Sequence, residues 1–309
     1  MPLPNLFIIG APKCGTTSLH RYLDQHPGIS MSAVKEPKFF LTDGSRPHHR
    51  GPGDERADRG YVIRRETYET LFEYPPGPGG YAGESTPYYL WDPDAAARMH
   101  ELVPDARLVA VLREPTLRAY SNWADLKEQG REKLDFASAM AAEEERRRLD
   151  WEPFWLYRDL GLYGRQLARL FTVFPAAQVK VLLAEDLARS PDDQVAGVFS
   201  FLGLEPLGAP LVDERLNQTM YKPVDRKSRL LESLFERGQR ARPLVPRPVR
   251  RLAREAVRRR LRSQATSGSH GSRLRHEYVE VFTEDRRSLE SMGVDVTSWD
   301  RADILDTGK

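Results

Sequence analysis

The chain has 309 residues, of which 30% are charged, and its formal net charge is only +2. This length fits one large α/β domain or two smaller ones, and the near-balanced charge excludes a dedicated nucleic-acid binder as the first interpretation. The single cysteine, Cys14, excludes an internal disulfide framework and favours a reducing compartment. No apolar run approaches the ~20 residues that span a bilayer. The start of the chain lacks a signal-peptide pattern, so we expect a cytoplasmic protein.

The first informative stretch, residues 5–23, combines a strand, a glycine turn and a helix start. Residues 6–9 form a short apolar run that is typical of a buried parallel strand. A Gly/Pro turn follows at 10–15, and the hydroxyl residues 16–18 open a segment with apolar residues at helical spacing. Backbone N–H groups at a helix start and the helix dipole both favour a bound anion. The stretch therefore predicts an anion cradle.

The glycine spacing of this turn matches the nucleotide P-loop, GxxxxGK[ST], but the lysine is displaced. Gly10 and Gly15 keep the spacing, Thr16 stands where the P-loop lysine belongs, and Lys13 lies inside the turn. A lysine at this position still brings a cation to a phosphate, from a different side. The alternative is an ordinary strand-to-helix turn with a chance lysine. The coincidence of strand, glycines, lysine and hydroxyls favours the anion site.

The run KEPKFF at residues 35–40 contains a candidate general base, Glu36. Lysines on both sides favour the ionised form of a carboxylate, which is the form that accepts a proton. Composition alone favours the other interpretation, an exposed charged loop that two phenylalanines anchor. Residues 42–60, which follow, are polar and rich in Gly, Pro, His and Arg, and they predict a loop or lid.

A second strand and helix start are predicted within residues 107–123. Residues 108–112 are apolar and predict a buried strand, Arg113 follows at its carboxyl end, and Pro115 opens a helix that contains Ser121. Ligands of open α/β sheets bind at the carboxyl ends of strands. Arg113 is therefore placed to meet a phosphate as a bidentate donor. An arginine that forms a salt bridge within the fold is the alternative.

The alternation of strands and helices along the chain implies a parallel sheet with right-handed crossovers. The other predicted elements are helices at 61–72, 94–102, 126–150 and 195–202, a long helix within 151–174 that contains Tyr163, a strand at 179–183 and a last helix at 274–292.

Residues 237–262 are the compositional outlier of the chain. Apolar residues fall on one helical stripe, and arginines cover the remainder. This pattern fits contact with an anionic acceptor, a membrane surface or nucleic acid. It equally fits a helix packed on the domain, with arginines that extend from an apolar face to solvent.

Two stretches together resemble the signature regions of sulfotransferases that use 3′-phosphoadenosine 5′-phosphosulfate (PAPS). They are GAPKCGTTSLHRYLDQHP and LREPTLRAYSNW, and the nearest branch is the heparan sulfate N-/O-sulfotransferase-like one with its bacterial members. The resemblance covers about residues 5–205 and the last helix. It implies a P-loop-like three-layer α/β/α fold with a central parallel sheet and a helical C-terminal part. Residues 1–309 would form a single domain, with an Arg-rich helical insertion at about 225–262.

The resemblance also implies an activity and site residues. The chain would transfer a sulfuryl group from PAPS, without a metal, to a hydroxyl or amine of a carbohydrate, lipid or natural product. Glu36 would be the base and Lys13 would stabilise the leaving group. The cofactor-binding residues would be Lys13, Cys14, Gly15, Thr16, Thr17, Ser18, Arg113, Ser121 and Tyr163. We also expect a lowered pKa for the Cys14 thiol, because it lies at a helix start beside a lysine.

The chain departs from the family pattern in two places. The branch often has a lysine where this chain has Ser85, so Lys35 or Lys38 supplies that charge or the charge is missing. The late Lys-Gly-Arg loop of the family is not recognisable, and residues 262–273 are its expected position. Two other functions stay open at this point. One is a P-loop-type kinase or NTPase, and the other is a non-catalytic module that binds an anionic surface.

Overall fold

The structure is a computed structural model that describes residues 3–75, 79–211 and 269–300. Five strands in these ranges form one sheet in the order β2-β3-β1-β4-β5, and each neighbouring pair is parallel. The strands are β1 (Leu6–Gly10), β2 (Ile29–Met31), β3 (Tyr81–Ser85), β4 (Arg107–Leu112) and β5 (Val179–Leu183). The sequence had predicted this parallel arrangement, which is confirmed.

Helices connect the strands and follow the last of them. In the described part of the chain they are α1 (Thr16–Leu23), α2 (Glu55–Arg59), α3 (Arg65–Glu69), α4 (Ala95–Leu102), α5 (Pro115–Glu128), α6 (Phe136–Ala141), α7 (Glu143–Arg148), α8 (Tyr163–Phe171), α9 (Ala184–Arg189), α10 (Pro191–Phe201) and α11 (Ser269–Ser291). None of them is both long and apolar enough to cross a membrane.

The two central strands are buried on both faces. All five residues of β1 and the last five of β4 are buried, although successive side chains of a strand point to opposite faces. Such continuous apolar runs are typical of a parallel sheet with helices on both sides. The predicted α/β layering is therefore confirmed.

The prediction of a long helix within residues 151–174 is wrong. The helical part is only α8, and short 3-10 turns at Pro153–Trp155 and Asp159–Gly161 precede it. Its start is fixed by Asp285 of α11, whose carboxylate accepts the backbone N–H groups of Gly164 at 2.8 Å and Arg165 at 3.0 Å. A distant carboxylate that caps the helix decides where it begins.

The last described segment completes the core. Leu289 at the end of α11, and Val296 and Trp299 beyond it, belong to the same buried cluster as the strands. Ser298 also donates a hydrogen bond of 2.6 Å to Asp186 of α9. The helical C-terminal part is thus packed into the sheet domain.

Residues 42–60, predicted as a loop or lid, form a loop that contains α2 and is bonded to the rest of the domain at Asp54. The carboxylate of Asp54 is fully buried and accepts hydrogen bonds from Gly51 N, Glu152 N and Trp155 Nε1, each of 2.8 Å. Arg131 pairs with the same carboxylate. These bonds tie the segment to the turns that precede α8. The Arg-rich segment at 237–262 and the whole of the suggested insertion at about 225–262 lie outside the described residues, as do residues 262–268 of the stretch 262–273.

Candidate active site

The carboxyl ends of β1 and β4 define the candidate site. The chain runs from β1 to one side of the sheet, through β2 and β3, and then crosses to β4 on the other side. In open α/β sheets, ligands bind in the crevice at such a switch point. The loop after β1 and Arg113 after β4 both lie there, as the sequence predicted.

The start of α1 is open to a ligand. Its N-cap is Gly15, at φ 86°, and no side chain caps the helix. Glycine suits this left-handed backbone, which would strain other residues. The first-turn N–H groups of a helix have no partner within the helix. Thr16 is buried, and the partly exposed Thr17 and Ser18 follow it.

Lys13 joins this loop to α5. Its backbone has the left-handed φ of 69°. Its ammonium lies 3.1 Å from Asp125 Oδ2, and its carbonyl oxygen accepts a hydrogen bond of 3.3 Å from Arg113 Nη1. The structure therefore brings together the two cations that the sequence assigned to the site.

The start of α5 is closed, in contrast to that of α1. The Glu114 carboxylate caps it by accepting the N–H groups of Thr116 at 3.2 Å and Leu117 at 2.7 Å. The first-turn N–H groups of Thr116 and Leu117 are therefore already occupied. Ser121, which is 3% exposed, lies one turn before Asp125.

The prediction of a lowered pKa for the Cys14 thiol is wrong. The thiol is buried, donates to Pro12 O at 3.6 Å and lies 3.7 Å from the Tyr163 hydroxyl. Burial disfavours the thiolate and raises the pKa of Cys14 to about 11. Tyr163 is itself fully buried. Both side chains lie behind the loop, so the structure supports them as its packing and not as direct contacts of an anion.

Glu36 lies on the other side of β1, next to the end of β3. Its N–H donates to Ser85 O at 3.0 Å, and its Oε1 lies 2.9 Å from the ammonium of Lys35. Its side chain is 35% exposed, which leaves the carboxylate accessible to a substrate. The structure thus places Glu36 at the same edge of the sheet as Lys13, but on a different strand.

Unusual backbone conformations concentrate in these loops. Among the described residues, four that are not glycine have a left-handed φ, and Lys13, Glu36 and Lys38 are three of them. Such strained conformations cost about 1–3 kcal/mol each and cluster at functional sites. The clustering therefore supports the assignment of these loops to one site.

Both lysines near Ser85, Lys35 and Lys38, form ion pairs. Lys35 pairs with Glu36, whereas Lys38 is buried, lies 3.7 Å from Glu152 Oε1 and packs over the rings of Tyr61 and Tyr88. The backbone N–H of Lys38 also donates to Thr86 at 3.3 Å. The Lys38 ammonium therefore lies beside Tyr88 in the loop after β3, with Glu152 as its partner.

Sequence analysis missed Glu84, a fully buried carboxyl in β3. It accepts hydrogen bonds from the Tyr68 hydroxyl at 2.7 Å and the Thr86 hydroxyl at 3.1 Å. Burial raises its pKa to about 7. The available signal was a single acidic residue inside an otherwise uncharged strand segment.

A parallel α/β sheet whose central strand β1 leads through a glycine-containing loop, with Lys13 in it, into the uncapped start of α1 is a P-loop-like α/β fold. The family model described as "Sulfotransferase family" matches residues 4–207. The chain therefore belongs to the sulfotransferase family, as the resemblance predicted.

Relatives and a solved structure agree with this family. The chain is 28% identical over 261 residues to the heparan sulfate glucosamine 3-O-sulfotransferase 3A1 of Mus musculus, covering 83% of this chain and 60% of that protein. It is 28% identical over 251 residues to the carbohydrate sulfotransferase 15 of Mus musculus, covering 66% and 44%. A crystal structure of a sulfotransferase from Alicyclobacillus acidocaldarius has a TM-score of 0.64 and 37% identity, covering 76% and 92%. The chain spans about half the length of these curated relatives.

Proposed function

We propose that the protein transfers a sulfuryl group from PAPS to a hydroxyl or amine of an acceptor. The observation that carries the proposal is Lys13, held by Arg113 beside the uncapped start of α1 at the switch point of the sheet. Two cations and a helix start suit a ligand that bears phosphates. Membership of the sulfotransferase family supports PAPS over other phosphate ligands.

The donor side consists of the loop and α5. Lys13 and the backbone of residues 15–18 hold the 5′-phosphosulfate, and Arg113 and Ser121 hold the 3′-phosphate. Bound PAPS supplies a sulfuryl group that its phosphate activates. Lys13 stabilises the negative charge that develops on the 5′-phosphate oxygen from which the sulfuryl group departs. Positioning and charge stabilisation then account for most of the catalysis, as in phosphoryl transfer.

The acceptor side centres on Glu36. This carboxylate takes the proton of the acceptor hydroxyl or amine, which is a poor nucleophile while protonated. Lys35, 2.9 Å away, fixes one of the carboxylate oxygens and leaves the other for the acceptor. Lys38 adds a second positive charge to this side.

The acceptor is a carbohydrate, a lipid or another natural product. The relative named a heparan sulfate glucosamine 3-O-sulfotransferase supports a glycan. An anionic acceptor would also suit the Arg-rich residues 237–262, whereas we expect no nucleic-acid partner. The use of one cysteine in 309 residues supports a cytoplasmic site for the reaction.

Labelled PAPS and a panel of glycans, lipids and natural products test the proposal. Mass spectrometry should detect the gain of one sulfuryl group on an acceptor, and turnover should survive excess EDTA.

A parallel reaction with ATP and Mg²⁺ tests the kinase or NTPase alternative, which Thr16 in place of the P-loop lysine disfavours. ATP turnover that EDTA abolishes, without use of PAPS, would contradict the proposal. Salt-sensitive binding to anionic liposomes without any turnover would support the non-catalytic module.

A further inference from the structure

The salt bridge between Lys13 and Asp125 occupies the lysine that the proposed function assigns to the phosphosulfate. The two side chains are 19% and 31% exposed, and the charged atoms lie 3.1 Å apart. The other oxygen of Asp125 accepts a hydrogen bond of 3.3 Å from Gln129, one turn further along α5. The carboxylate is therefore held in place from its own helix while it binds the loop.

This pairing has an electrostatic consequence for any anion that enters the loop. The ammonium of a lysine carries one charge, and a carboxylate at 3.1 Å neutralises much of its field. An incoming phosphate or sulfate must displace Asp125 from Lys13 or share the ammonium with it. In both cases it also meets the negative charge of Asp125.

We propose that Asp125 is a resident counter-ion of Lys13 that competes with the cofactor and so sets its affinity. The ion pair positions the lysine before the anion arrives. Asp125 pairs with the lysine again when the anion leaves. Asp125 is thus a positioning residue that weakens retention of the bisphosphate product. This inference rests on the proposed function, because it assumes that the anion binds at the loop of Lys13.

Calorimetry with adenosine 3′,5′-bisphosphate as the probe tests the inference. Asp125→Asn should tighten binding by about twofold to fivefold, the range expected for a partly exposed ion pair. Asp125→Glu should restore an affinity close to that of the unaltered protein. Asp105→Asn is the matched control, since it removes the same charge from an exposed residue before β4, at the opposite edge of the sheet.

A double-mutant cycle separates competition from a structural effect. In a Lys13→Ala background, Asp125→Asn should raise the affinity less than it does when Lys13 is present, because only the direct repulsion between Asp125 and the anion is left to remove. A merely structural role of Asp125 would change the melting temperature and leave the affinity unaltered in both backgrounds.

The outcomes distinguish this inference from the proposed function. If the bisphosphate binds and Asp125→Asn binds it no more tightly than Asp105→Asn does, the counter-ion role is overturned and the proposed function stands. If the unaltered protein does not bind the bisphosphate, both are overturned.

Discussion

β1 divides the carboxyl edge of the sheet into two sides that are built in different ways. On the β4 side, the uncapped start of α1 and the residues after β4 surround the crevice, and Arg113 bonds directly to the loop. On the β3 side, the loop that contains Glu36 and Lys38 has a strained backbone and attaches to β3 through hydrogen bonds to Ser85 and Thr86.

The difference indicates how the two halves of the proposed reaction are divided. The start of α1 and the end of β4 follow local signals, a glycine turn and an apolar run, so the β4 side suits the phosphates of the proposed co-substrate. The β3 side depends on loops held by distant contacts, such as the pair of Lys38 and Glu152. Loops tolerate change and carry specificity, so we expect the choice of acceptor to depend on this side.

The largest expected effect tests whether the β3 side supplies the base. Glu36→Gln keeps the shape of the side chain and removes the proton acceptor, so kcat should fall by ~10²–10⁴-fold. The affinity for adenosine 3′,5′-bisphosphate should hardly change, because the proposed function assigns this ligand to the β4 side. Glu66→Gln, on the exposed face of α3, is the control. A Glu36→Gln enzyme within a few-fold of the unaltered rate would remove Glu36 as the base.

The second prediction concerns the stability of the β3 side as pH changes. Burial raises the pKa of Glu84 from 4.5 to about 7, so the folded protein binds a proton here that the unfolded chain releases. The stabilisation is complete below pH 4.5 and is lost as pH rises through 7. Urea unfolding should therefore show a free energy lower at pH 8 than at pH 5, by up to about 3 kcal/mol from this group.

Glu84→Gln isolates this contribution from that of other buried carboxyls. Glu143, Glu152 and Glu185 also have pKa values raised by burial, and their dependence has the same sign. The variant should flatten the pH profile without abolishing it. An identical slope in the variant and the unaltered protein would show that Glu84 does not titrate in this range.

The third prediction tests the β4 side. Arg113→Ala should weaken binding of adenosine 3′,5′-bisphosphate by about 2 kcal/mol, or roughly 30-fold, at the lower end for a charged contact because Arg113 is only half-buried. Arg107→Ala provides the control at the other end of β4, where that arginine donates to Ala177 O. Equal losses in the two variants would assign the effect to the strand and not to the site.

The smallest effect is expected at Cys14, behind the loop. Its burial and its raised pKa predict slow reaction with iodoacetamide in the folded protein and fast reaction in urea. Cys14→Ser should keep most of the activity. Rapid labelling of the folded protein, blocked by bound nucleotide, would show instead that the thiol faces the crevice.

The sequence predicted what depends on neighbouring residues. Apolar runs located β1, β4 and β5, and the glycine spacing with Lys13 located the anion loop. It could not predict contacts between distant residues. Asp125, which pairs with Lys13, is 112 positions away. The hydroxyl of Tyr163 lies against Cys14 from a separation of 149, so the burial that raises the pKa of the thiol has no local signal.

The cap that Asp285 provides for α8 has a consequence for synthesis on the ribosome. The sheet receives its last described strand at Leu183, but α8 lacks its cap and the core lacks Leu289 and Trp299 until residues 285–299 are made. At ~5–20 residues per second, this interval lasts on the order of ten seconds. During that time the apolar core that Leu289, Val296 and Trp299 complete lacks these three side chains.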